Sequence, residues 1–68
     1  MMNQSISRTF LIELKMNPQP QYRIAQQAGL HPNLLSKLVN GAVPVQPNDE
    51  RLLRVGEVLG LTAKEVFE

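Results

Sequence analysis

Apolar residues recur along this chain at spacings of three and four, and the stops between them divide it into five helices with no strand. Phe10, Leu11 and Leu14 form one stripe and predict a helix over about residues 7–16. Asn17-Pro18-Gln19-Pro20 ends it, because each proline lacks an amide donor and restricts the residue before it. Ile24, Ala25 and Ala28 predict a second helix over 21–28, with Gly29 just past its end. A left-handed turn is expected there, a conformation that costs a residue with a Cβ about 1–2 kcal/mol. Leu30, Leu35 and Leu38 continue the inward-facing set through a third helix that starts at Pro32 and stops at Asn40-Gly41. Ala25 is small where the second and third helices are expected to cross closely and steeply.

Residues 41–48, GAVPVQPN, form an uncharged loop stiffened by Pro44 and Pro47. Asn48 is the expected cap of the fourth helix, with Asp49 and Glu50 suiting its positive end. Leu52, Val55, Gly56 and Leu59 make its stripe, and Gly60 closes it. Gly56 weakens that helix by about 1 kcal/mol relative to alanine, which implies close approach of another helix. Thr62 and Glu65 have capping-box spacing and open a short fifth helix whose apolar face is Val66 and Phe67. The expectation is an all-α, compact five-helix bundle forming a single domain over 1–68, without repeats, low-complexity tracts or linkers.

Size and composition narrow the classes. Sixty-eight residues lie near the lower limit for folding without staples. With no cysteine there is no disulfide or thiolate metal site, which fits a cytosolic setting. A hydrophobic fraction of 43% is too high for a disordered chain, and three aromatics leave the core mainly aliphatic. No apolar run approaches the roughly 18 residues of a membrane span. The start, MMNQSISRTF, lacks the basic and long apolar regions of a signal peptide, so a soluble cytoplasmic protein without membrane contact is expected. Leu34, Val43, Val45 and Leu53 are apolar outside the core pattern; with Phe67 they can form a self-complementary patch.

The chemistry of catalysis is missing from the pattern. His31 is the single histidine, so no His pair or His/Cys cluster can ligate a metal, and it is expected to cap or precede the third helix. Ser5, Ser7 and Ser36 have no base beside them, and the four glycines never cluster as a phosphate cradle. No enzyme, no cofactor and no metal are expected. Charge is more telling in its placement than in its total of +1. Arg8, Lys15, Arg23 and Lys37 in the first 40 residues face only Glu13, whereas five of the six acids lie from Asp49 onward. Such a gradient turns the first three helices toward a polyanion.

Three blocks in order carry a resemblance over about residues 7–67. They are QYRIAQQAGLHPNLLSKLVNG at 21–41, Leu-x-x-Val-Gly-x-x-Leu-Gly-Leu at 52–61, and Thr-x-x-Glu-Val-Phe at 62–67. With them the chain resembles the Cro/lambdoid phage repressor-type (XRE-like) family of helix-turn-helix DNA-binding domains. The resemblance implies a lambda repressor-like fold and a small phage- or plasmid-type transcriptional repressor, binding a double-stranded DNA operator with its third helix in the major groove. It implies base contacts from His31, Pro32, Asn33, Ser36 and Lys37, and phosphate contacts from Gln21, Arg23 and Asn40, helped by Arg8 and Lys15. Asn33 can pair with the N6/N7 edge of adenine, and Lys37 with guanine O6/N7 or a phosphate.

Relatives of this length dimerise through the fourth helix and C-terminal region, or lose that ability when cut from a larger repressor. The resemblance thus leaves open a monomer or a weak homodimer, the latter on half-sites about one helical turn apart. Two departures are evident. Pro32 offers only apolar contact where relatives often carry a polar side chain, and the 41–48 loop has no lysine or arginine. Both features, with the low net charge, favour an alternative: an antitoxin or other protein-interaction module that uses this fold to grip a toxin or another protein partner.

Overall fold

Ser7 marks where the extended start of the chain becomes helical: its hydroxyl accepts the Phe10 amide at 3.0 Å. In the computed structural model, which describes residues 5–68, α1 then runs Arg8–Met16. Four further helices follow: α2 Gln21–Gln27, α3 Pro32–Val39, α4 Glu50–Val58 and α5 Ala63–Val66. The α1–α2 connection is held locally, since the Asn17 carboxamide oxygen accepts the Gln19 amide at 2.9 Å. Gln27 Nε2 also donates to Gln19 Oε1 at 2.9 Å.

The turn between α2 and α3 uses Gly29 at φ +77°. There the Leu30 amide donates to the Ala25 carbonyl at 2.8 Å and the Gly29 amide to the Gln26 carbonyl at 3.0 Å. This crossed pair brings donors from beyond the helix to carbonyls of its last turn, where the Ala25 carbonyl also accepts the Ala28 amide at 3.1 Å. The same arrangement ends α3 at Gly41 and α4 at Gly60. All three stops lie where the apolar spacing places them.

The cap of α4 is a correction. Asn48 does not cap; it takes a left-handed conformation at φ +52°, which Asn tolerates better than most residues. Asp49 is the cap instead, and it is buried. One carboxylate oxygen accepts the Arg51 amide at 3.1 Å and the other accepts the Gln46 amide at 3.0 Å. The Arg51 guanidinium adds two donors to the same group, Nε at 2.8 Å and Nη2 at 2.6 Å. These bonds, the Arg51 side chain first, hold the Asp49 carboxyl down at a pKa of about 2.

Phe10, Ile24, Leu35, Leu38, Leu52, Val55 and Val66 are fully buried. Packing runs α3 on α2, α2 on α4, α4 on α5 and α5 back on α1. The expected approach at Gly56 is made by α5, for a Cβ there would lie 2.5 Å from Val66 Cγ2. The ends of the described chain close by backbone pairing that helical periodicity cannot signal. Ile6 and Phe67 form an isolated antiparallel bridge, the Ser7 amide donates to the Val66 carbonyl at 2.8 Å, and the Glu68 amide to the Ser5 carbonyl at 3.0 Å. The Ser7 hydroxyl also donates to the Glu65 carbonyl.

Several apolar positions differ from expectation. Leu11 is 38% exposed, because α1 is a peripheral helix and Leu11 lies at the margin of its buried stripe. Val45 and Phe67 are buried, and Leu34, Val43 and Leu53 pack half-buried against the core. Val45 and Phe67 therefore belong to the interior, while Leu34, Val43 and Leu53 keep part of their surface outside it. No helix among the described residues is long and apolar enough to cross a membrane.

Candidate functional site

The spacing that sends Leu35 and Leu38 of α3 into the core turns Asn33, Ser36, Lys37 and Asn40 away from it. Asn33, Lys37 and Asn40 are exposed and Ser36 is half-buried. Ser36 and Asn40 sit one turn apart, and the Asn40 amide group donates to Ser36 Oγ at 3.4 Å. Pro32, half-buried, supplies the first helical residue, where no amide donor is needed. His31 precedes it as the cap: its Nδ1 accepts the Asn33 amide at 3.1 Å. The face of α3 thus presents two carboxamides, a hydroxyl and an ammonium group within about two turns, with an exposed imidazole at its start.

α2 packs directly against α3 and carries Gln21 and Arg23, both exposed. Its first turn contains no acidic residue, and Pro20 provides no side-chain cap. Gln21 and Arg23 therefore belong with the α3 residues to one packed helix pair. Arg8 and Lys15 are exposed too, but on α1, whose main packing is with α5. They lie outside the pair.

On α1, α2 and α3 four basic residues stand against one acid, Glu13. Arg8, Lys15, Arg23 and Lys37 enter no ion pair among the described residues, where the one pair is Arg51 with Asp49 at 2.6 Å. Arg51 is therefore committed to the α4 cap. Arg54 lies beside Glu57 in an open hollow of about 300 Å³ that Gln27, Ala28 and Val58 also line. Arg54 and Lys64 are exposed and outside the Arg51–Asp49 pair as well, but the chain from Asp49 onward carries five acids, so the net positive charge lies on α1, α2 and α3. No group of three or more His, Cys, Asp or Glu that could hold a metal ion occurs among the described residues.

Two surface features stand apart from the residues expected at the site. Ile12, Met16 and Tyr22 are 46%, 77% and 49% exposed. The spacing of four between Ile12 and Met16, opposite the Phe10–Leu14 stripe, is the signal that places the first two outside. The second feature is an apolar groove of about 340 Å³ beside the end of α3, lined by Ile6, Leu11, Val39, Val43 and Pro44 among others. Its walls come from three separate parts of the chain, so no local pattern marks it. Comparison with protein-family models, with curated proteins and with solved structures gives no match to this chain.

Proposed function

We propose that this protein is a small sequence-specific DNA-binding regulator, with α2 and α3 acting as a helix-turn-helix and α3 entering the major groove. One observation carries the reading: α3 presents Asn33, Ser36, Lys37 and Asn40 outward while Leu35 and Leu38 anchor its other side. A helix with side chains is about 10–12 Å across, and the major groove is about 12 Å wide. Asn33 supplies the donor and acceptor that match adenine N6/N7, and Lys37 a donor for guanine O6/N7 or a phosphate. Gln21, Arg23 and Asn40 would fix the register on phosphates, with Arg8 and Lys15 adding long-range attraction. Occupying an operator in the cytoplasm, as a repressor does, needs neither catalysis nor a cofactor.

The test is a fluorescence-anisotropy titration against DNA upstream of the protein's own gene, at two salt concentrations, with random-sequence DNA as competitor. Binding should survive competitor and fall with salt by about one logarithmic unit of slope per phosphate neutralised. Asn33→Ala and Lys37→Ala should each weaken specific binding by about 1–3 kcal/mol if they read bases. Unchanged operator affinity in both variants would remove α3 as the reading face.

A second reading is favoured by the exposure of Leu11, Ile12, Met16 and Tyr22. In it the protein is an antitoxin or interaction module that grips a protein partner through apolar contact. Its binding would hardly respond to salt, which separates it from the first reading.

A further inference from the structure

Serine and aspartate cap helices with oxygens held close to the backbone, and Ser7 and Asp49 turn their remaining hydrogen-bonding capacity inward, to the Glu65 carbonyl and the Gln46 amide. An imidazole has two nitrogens, and His31 uses just one of them: Nδ1 accepts the Asn33 amide at 3.1 Å. A nitrogen that accepts carries no proton, so the neutral ring must carry its proton on Nε2. The opposite tautomer would set Nδ1–H against the Asn33 N–H, two donors facing each other. His31 is exposed, and its Nε2 makes no hydrogen bond to any described residue. The start of α3 therefore carries a donor of fixed polarity, held in place by the helix it caps.

We propose that His31 is a specificity-determining residue of the α3 face, capping the helix through Nδ1 while Nε2–H donates to the N7 acceptor of a purine. This rests on the DNA-binding reading and sharpens it. Both purines present N7 in the major groove, whereas cytosine presents the N4 amino donor there. A group that can only donate accepts either purine, or thymine through O4, and rejects cytosine. The discrimination is one of hydrogen-bond polarity and needs no charge on the ring. It is also coupled to helix order, because the bond that orients the imidazole is the one that caps α3.

Two measurements test this. The first is a long-range ¹H–¹⁵N correlation spectrum of the imidazole at alkaline pH, where the ring is neutral. A proton on Nε2 and a bare Nδ1 are expected; a proton on Nδ1 overturns the proposal.

The second starts from a random-sequence duplex library, from which the wild-type protein selects its best binder. Each purine of that duplex is then replaced singly by its 7-deaza analogue, which lacks only the N7 acceptor. At one position wild-type affinity should fall about three- to tenfold, the worth of one neutral hydrogen bond. His31→Ser and His31→Thr, whose hydroxyls keep a cap, should melt close to wild type yet be indifferent to the analogue at that position. His31→Ala should lose both the cap and the discrimination. A selected duplex on which no purine shows this difference between wild type and the capping variants overturns the role of His31 and leaves DNA binding standing. A library that yields no enriched duplex overturns both.

Discussion

Gly56 and Val66 meet where α4 and α5 cross, with no room between them for even a methyl group. Alanine at 56 would gain about 1 kcal/mol of helix propensity. The clash opposes it, because valine has one stiff torsion and its Cγ2 would sit 2.5 Å from the new Cβ. Overpacking of this kind costs about 1–3 kcal/mol, so Gly56→Ala should lower the stability in urea denaturation. In a Val66→Ala background the obstruction is gone, and the same substitution should become neutral or stabilising. Equal effects in both backgrounds would show that something other than Val66 keeps position 56 bare. Single residues of this sort are half-legible in sequence: a glycine inside an amphipathic stripe announces a close approach, but not which helix makes it.

Helices are more legible, because their signals are local. Gly29, Gly41 and Gly60 end α2, α3 and α4 as the periodicity places them, and the prolines at 18 and 20 separate α1 from α2. The start of α4 was not legible, since Asn48 and Asp49 are both good caps in isolation. The choice between them follows from the path of the 41–48 loop, which buries Val45 and brings the Gln46 amide onto the Asp49 carboxylate. That arrangement has a pH signature. The Asp49 carboxyl titrates at about 2 in the folded protein against an ordinary 3.8. A depressed folded-state value stabilises the protein above the unfolded value, and the contribution drains away as pH falls through the folded one. Its size is about 2 kcal/mol. The stability difference between wild type and Asp49→Asn should therefore be largest above about pH 5 and shrink toward pH 2. Thermal melts at stepped pH check it, and a difference that stays constant with pH would show that the charge of Asp49 contributes nothing.

At the scale of the whole molecule, the core closes through contacts that no local pattern contains. The Ile6–Phe67 bridge joins the two ends of the described chain, and Phe67, placed by its spacing on the face of a short helix, becomes part of the interior. The apolar groove beside α3 is invisible in the sequence for the same reason. By contrast, the outward set of Asn33, Ser36, Lys37 and Asn40 was legible, since the period that buries Leu35 and Leu38 determines what faces away. Charge separates along with the fold. The first 40 residues carry four basic side chains and one acid, whereas the chain from Asp49 onward carries three basic side chains and five acids, with Arg51 tied to Asp49. This division is what supports a polyanion on the α2–α3 side and gives the central proposal its geometry.

The most direct test is a ¹⁵N–¹H correlation titration of the labelled protein with a duplex selected from random sequence. Shifts concentrated on residues 31–40, with Gln21 and Arg23 beside them, are the result expected for α3 in the major groove. Shifts confined to Leu11, Ile12, Met16 and the groove around Val43, or an unchanged spectrum at saturating duplex and low salt, would contradict it.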